Sequence, residues 1–421
     1  MKYLFFLFVC LSAPLPAQWQ ETSFRTSMNS TAYVTKLYYD GTTLWAGSRS
    51  QVFISGDKGA NWSNVTSGGI TVNQTDVKDI IRLNDYVYVA FGGNGNKSIY
   101  RSNDKGGNWE LDMEGYTQFQ HVTHFYTFKD FVVGKLETNG VIYKKNSDTR
   151  WSTLAVPDSR FVTPATIFSR GDSLVLTSGQ SGPAIALTAD MGATWTIRSV
   201  KWGHDIPANG DWLIPVWHGR YNQGQVYGVN RGFVTSPRLE YVYNFVASDD
   251  GMRTFTKKNT FFQTEDINTM WINDNQIFVA YSRSNLWHST DGGLTFNDIT
   301  ANIKSFVQYL HLPVLSMEVV DDKLFVAGNQ NGILTHAVGT SVTTPDVNEI
   351  MVFPSVTSDF LHVRAFDTGS LQIVALNGNI VHTVPVTTPE QKIDISHLQK
   401  GMYIVQVHSG TTRAMRKIVK R

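Results

Sequence analysis

Cysteine is all but missing from this chain. Cys10 is the single one in 421 residues, and it lies in the apolar stretch LFFLFVCLSA, between Lys2 and the small-residue site Leu15-Pro16-Ala17. That stretch is too brief to span a bilayer and has the order of an export signal, which predicts a leader over residues 1–17 and a mature chain from Gln18. A mature chain without a thiol excludes disulfides, cysteine-ligated zinc and thiol nucleophiles. Surplus charge is missing too: Lys and Arg number 36 against 35 Asp and Glu. With no long run of one sign, nucleic acid is not expected as a partner. No other stretch is long and apolar enough to be a transmembrane segment. Phosphate loops, dinucleotide glycines and a catalytic serine motif are absent, since GGNGNK lacks a Lys-Ser/Thr ending. No cofactor is expected. His121 and His124, in QHVTH, have no carboxylate close by in sequence and predict no metal site.

Aromatic residues are abundant, with 24 Phe, 17 Tyr and 11 Trp, a composition that suits pleated, half-buried surface. One phrase recurs: SGDKGANW (55–62), SNDKGGNW (102–109), TADMGATW (188–195), SDDGMRTF (248–255) and STDGGLTF (289–296). From Asp57 to Asp104 is 47 residues, to Asp190 a further 86, to Asp250 60, and to Asp291 41. The gap of 86 holds a worn copy, KKNSDTRW (144–151), with Asn146 at the Asp position and Trp151 at the Trp position. A turn followed by an apolar strand recurs in the same rhythm as YDGTTLWAG, LNDYVYVA, FKDFVVG, RGDSLVL, NGDWLIP, NDNQIFVA and DDKLFVAG. Such a period indicates repeated four-stranded meanders.

The pattern predicts an all-β chain: a seven-bladed β-propeller over residues 18–340, with six blades as the alternative reading. After DDKLFVAG the chain lacks an octapeptide, while Trp19 stands alone like the Trp of an absent copy. The N-terminal strand is therefore expected to close the ring as the outer strand of the last blade. Within each octapeptide the Asp should accept hydrogen bonds from its own turn and the terminal aromatic should bury between blades. The structural residues are Asp57, Trp62, Asp104, Trp109, Asp190, Trp195, Asp250, Phe255, Asp291 and Phe296. Met252 replaces the usual Gly, so that turn should be the most distorted.

The octapeptide resembles the Asp-box, or bacterial neuraminidase (BNR) repeat, of sialidase-like and related propellers. That resemblance implies the fold; Asp-boxes occur in enzymes, receptors and assembly factors alike. A sialidase would need three arginines, a Tyr and Glu pair and an Asp. Phe24-Arg25-Thr26-Ser27 matches only two places of that family's first arginine motif.

Beyond a linker at 341–349, residues 350–421 change character. Val352-Phe353-Pro354, Leu376-Asn377-Gly378-Asn379-Ile380-Val381, Ile393-Asp394-Ile395 with Leu398, Gly401 to Val407 and Lys417-Ile418-Val419-Lys420 resemble the C-terminal sorting domain of type IX secretion cargo in the Bacteroidetes. The first motif departs from that family, since Pro354 is followed by Ser355-Val356. The resemblance implies a small Ig-like β-sandwich without chemistry. It also implies type IX secretion machinery as a partner, and export through Sec to the outer-membrane surface or the medium.

Most loops joining strand two to strand three are short, near Arg49, Lys97, Glu137 and Arg283. Blade five carries 23 residues from His218 to Glu240, and loops of that length are usually functional or disordered. The candidate ligand-binding residues are Trp202, His204 and Asp205 in the connector, His218, Arg220, Tyr221 and Arg231 in the insertion, and Arg283. Aromatic rings beside Arg and His suit a sugar or an anionic group, although the same residues could pack the loop onto the ring. The sequence is thus read as a surface or secreted propeller that binds a glycan or other surface polymer. A sialidase-like glycoside hydrolase and a non-catalytic protein-interaction propeller are the alternatives, and no catalytic residue is assigned.

Overall fold

The structure, a computed structural model, describes residues 19–27, 33–93, 97–116, 120–179, 184–202, 217–222, 225–234, 240–261, 267–273, 276–281, 285–300, 314–328 and 332–338, and beyond them 351–353, 356–357, 360–364, 369–375, 379–388, 390–409 and 412–420. Two compact units divide at Val338 and Gly339. The leader at 1–17 and the linker at 341–349 lie outside the described residues. Among the described residues no helix is long and apolar enough to cross a membrane.

Among the described residues the first unit holds seven sheets, antiparallel throughout except for one parallel edge strand in the fifth. Burial falls from the middle of each sheet outwards. Second strands such as Leu44–Ser48 and Gln276–Tyr281 are buried along their whole length, because sheets pack on both of their faces, and they read as continuous apolar runs rather than alternations. Fourth strands such as Ser63–Asn64, Glu110–Leu111 and Ser152–Thr153 are two exposed residues. The innermost strands are Val34–Tyr39, Asp76–Leu83, Val122–Phe128, Ile167–Arg170, Trp217–Asn222, Ile267–Asn273 and Val314–Val320. Each touches the next, and the last touches the first, so the seven form a cycle. Side chains lock it: Ser316 Oγ accepts the Leu37 N–H at 2.9 Å, and Asp79 accepts the Phe125 N–H at 2.7 Å and the Lys36 ammonium at 2.7 Å. The arrangement is that of a β-propeller.

The N-terminal residues complete the last sheet. Gln20 and Glu21 pair antiparallel with Thr335 and Leu334. Trp19 is buried, stacks on His336 with ring centroids 4.7 Å apart, and donates its indole N–H to Ile299 O at 3.0 Å. The closure read from the lone Trp19 is present.

The fifth sheet departs from the reading. NGDWLIP, placed above as its hairpin, falls at 209–215, outside the described residues. The hairpin instead sets Asn222 opposite Gln225, and residues 218–240, read as a loop, are mostly the strands Trp217–Asn222 and Gln225–Val234. The polar run around Asn222 and Gln225 disguised a turn as a loop. The second strand here is ten residues, against five in Leu44–Ser48 and seven in Tyr86–Gly92. Paired with Glu240–Ser248, it outreaches the inner strand. The surplus of three to five residues, near 3.4 Å each, projects about 10–17 Å.

The second unit is a two-sheet sandwich. Met351–Phe353, Phe360–Arg364 and Glu390–Asp394 make one sheet; Val356–Thr357, Thr412–Lys420, Gly401–Ser409, Gly369–Ala375 and Ile380–Val386 make the other. Leu361, Val363 and Ile393 from the first meet Leu371, Val405 and Ile418 from the second in one core.

Candidate functional site

An antiparallel meander sends its first and third turns to one end of the sheet and its second turn, with the connector to the next sheet, to the other. The ring therefore has a turn end and a loop end, and the two are built differently.

At the turn end the five octapeptides repeat one hydrogen-bond set. The hydroxyl of Ser55, Ser102, Thr188, Ser248 or Ser289 donates to Oδ1 of the Asp two residues on, at 2.7–2.9 Å. That hydroxyl accepts the N–H four residues ahead of it, at Gly59, Gly106, Gly192, Met252 and Gly293, at 2.8–3.0 Å. The Asp Oδ1 also accepts the N–H of Asn61, Asn108, Thr194, Thr254 or Thr295 at 2.8–3.0 Å. Hydrogen bonds from Asn108, backbone first, hold the Asp104 carboxyl at about 2, and those from Thr194, side chain first, hold Asp190 at about 2. A carboxylate so fully engaged is a poor base and a poor metal ligand.

The turn at Met252 keeps the same bonds, so the distortion anticipated there is absent. Gly251, at φ +76°, occupies one left-handed position and Met252, at φ +67°, the other. The left-handed backbone costs a side chain about 1–2 kcal/mol. Complete burial of the Met252 side chain returns a similar amount.

The terminal tryptophans reach across seams. Trp109 donates to Val65 O, Trp151 to Asp112 O and Trp195 to Ala155 O, each at 2.9 Å, as Trp19 does to Ile299 O. Trp62 has a buried N–H without an acceptor; it meets Phe24 edge-on at 5.1 Å. Phe255 is fully buried and Phe296 packs against the core shared by the fifth and sixth sheets. The worn copy is held differently: Lys144, at the Ser position, is 0% exposed and bonds both oxygens of Asp112 at 2.9 and 3.1 Å. Its Asn146 accepts from Tyr88 Oη at 2.8 Å and donates to Leu83 O at 2.8 Å.

The loop end gathers charges instead of repeating a motif. His121 Nδ1 lies 3.0 Å from Glu137 Oε2, and Lys97 Nζ lies 3.5 Å from the same oxygen. Burial lowers the His121 pKa, Glu137 opposes that, and Lys78 and Lys97 add to it. Tyr33 is raised, by burial first and then by Asp76, with Arg49 opposing. His121 and Glu137 are 16 residues apart in sequence and were not paired above; the hairpin of the third sheet sets them side by side, with Val122 opposite Leu136 and the Glu137 N–H donating to His121 O at 3.0 Å. Among the described residues no group of three or more His, Cys, Asp or Glu is arranged to hold a metal ion.

The proposed ligand-binding residues do not form one group. Lys201–Trp202 is an edge strand, parallel to Thr254–Phe255, whereas Trp217–Asn222, which carries His218, Arg220 and Tyr221, is the opposite edge of the same five-stranded sheet. Four strand spacings separate them, about 19 Å. Arg231 lies in the projecting second strand, opposite Tyr243. His204, Asp205 and Arg283 lie outside the described residues.

Residues 351–421 match a family model described as the secretion system C-terminal sorting domain. No curated protein matches the chain. Among solved structures the chain is similar to PorZ, a surface component of the type IX secretion system of Porphyromonas gingivalis, at 14% identity and TM-score 0.50, over 93% of this chain and 60% of PorZ. It is similar to YCF48 from Cyanidioschyzon merolae at 11% identity and TM-score 0.52, over 77% of this chain and 100% of that one. It is also similar to the extracellular domain of BT4673 from B. thetaiotaomicron at 10% identity and TM-score 0.52, over 97% of this chain and 59% of that one. The chain thus spans about three fifths of PorZ and of the BT4673 domain. At these identities the likeness is one of fold. The C-terminal unit carries the address of a type IX secretion cargo, and the ring is a β-propeller bound for the cell surface or beyond.

Proposed function

We propose that this exported ring, a seven-bladed Asp-box propeller entering through Sec, binds a glycan or other surface polymer on its loop end. The supporting observation is the asymmetry of the two ends. Every octapeptide carboxylate is consumed by its own turn, whereas the loop end presents His121, Glu137, Lys97 and Lys78 beside one another and a hairpin from the fifth sheet that outreaches the inner strand. Residues of mixed charge that are not needed to hold the fold are available to a polar, multiply hydroxylated ligand. Trp202 sits at the far edge of the fifth sheet, so Arg231 and the hairpin carry that sheet's share of the site. Glu137 has His121 and Lys97 as its charged partners, an arrangement suited to binding rather than to the paired carboxylates of glycoside hydrolysis.

A glycan array probed with the exported chain, alongside Glu137→Gln and Arg231→Ala, tests the reading. Retention of specific glycans that weakens at least fivefold in both variants is the expected result. Retention unaffected by either removes the loop end as the site. A protein-interaction reading draws support from one observation, that a propeller of this fold, YCF48, is solved bound to D1 peptide. Peptide capture that survives free glycan would favour it.

A further inference from the structure

Three lysines of the ring are drawn into its seams. Lys144 is neutralised by Asp112 at 2.9 Å and Lys36 by Asp79 at 2.7 Å. Lys135 is not. It stands in the second strand of the third sheet, Phe131–Leu136, near the loop end. Val133, two residues before it and so on the same face, packs in the core shared by the third and fourth sheets. The Lys135 ammonium enters that seam and donates to Ala165 O at 3.3 Å. Burial alone lowers its pKa, with no charged group opposing. Among the described residues no carboxylate pairs with it. A half-buried cation left with one long bond to a carbonyl is costly, and the same fold supplies a carboxylate in both other cases.

We infer that Lys135 is an anion subsite of the loop end, taking its counter-charge from a carboxylate or sulfate group on a bound polysaccharide. The inference rests on the glycan-binding reading above and narrows it to acidic polymers. A single ammonium recognises either oxyanion as a point charge, without the forked geometry of arginine, so carboxylate and sulfate are separated by experiment rather than by shape.

The test uses the full exported chain and three soluble probes, polygalacturonate, dextran sulfate and neutral dextran, followed by calorimetry at low and at physiological salt. One or both acidic polymers should bind at least tenfold tighter than dextran, weakening with salt. Lys135→Met should erase that preference, Lys135→Arg should keep it, and the melting temperature of Lys135→Met should equal or exceed that of the parent because an unmatched cation is gone. Dextran binding as tightly as the acidic polymers overturns the subsite while leaving glycan binding standing. Binding of none of the three overturns the subsite, and the glycan array alone then decides whether glycan binding stands. A Lys135→Met protein that melts lower yet keeps its acidic preference assigns the lysine to packing and sinks the inference.

Discussion

The turn end and the loop end of the ring are made by the same strands, yet they solve opposite problems. At the turn end each octapeptide aspartate is surrounded by donors from its own turn, so those carboxylates are spent on geometry. At the loop end Glu137 answers both to His121 of its own hairpin and, at 3.5 Å, to Lys97 of the neighbouring sheet. The contrast shows where a propeller can change function without losing its fold: substitutions should cost stability at one end and binding at the other.

The strongest challenge to that division is the seam of the worn copy. Asp112→Ala would leave the Lys144 ammonium fully buried and unmatched, and a loss of about 3–5 kcal/mol is expected in urea unfolding. Adding Lys144→Met should restore most of it. A double variant as unstable as the single would mean that the ion pair is not what holds this turn.

Two half-buried groups contribute to the pH response of the ring. Glu318 accepts the Trp271 indole N–H at 3.1 Å, and burial pushes its carboxyl up to about 7. Its folded value exceeds the unfolded one of about 4.5, so its contribution is whole below pH 4.5 and is lost as pH rises through 7. Glu318→Gln should therefore gain about 3 kcal/mol over the parent at pH 8 relative to pH 4. His288 stacks on Phe278 with centroids 4.2 Å apart, and burial, helped by His336, lowers it to about 4. The sign reverses: stability is present above pH 6.5 and is lost as pH falls toward 4. His288→Phe should remove about 1–2 kcal/mol of acid sensitivity between those limits. Parallel melting curves for parent and variant across that range would refute the assignment.

The smallest effects give the most direct comparison. Asp104→Ala should lower the urea midpoint slightly, because a few turn hydrogen bonds are lost, and leave ligand binding alone. Glu137→Gln should leave stability within about 0.5 kcal/mol and weaken binding. Exchange of those two outcomes would reverse the roles assigned to the ends.

Where structure is local, it could be read from the sequence. The octapeptides specify their turns within eight residues, and Trp19 betrayed the closing strand because its indole serves the same purpose as Trp109 and Trp151. The sorting unit was legible from its strand motifs. The fifth sheet was misread because its turn, between Asn222 and Gln225, carries none of the Asp-Gly signals of its siblings. His121 with Glu137 was passed over because the hairpin register that aligns them follows only once the strand ends at 122 and 136 are fixed, whereas Lys144 with Asp112 is assembled by the packing of one sheet on the next, which no spacing rule encodes. In the worn copy attention fell on Asn146, while the residue that holds the seam was Lys144.

Thr22 donates to Ile333 O at 2.9 Å across a sequence separation of 311 residues. The outer strand of the last sheet thus comes from the opposite end of the ring's sequence, so that sheet stays one strand short until Gln20–Glu21 and Gly332–Ala337 are both present. Closure therefore needs both ends of the ring at once: a chain that lacked Gly332–Ala337 would leave Gln20–Glu21 without its ladder.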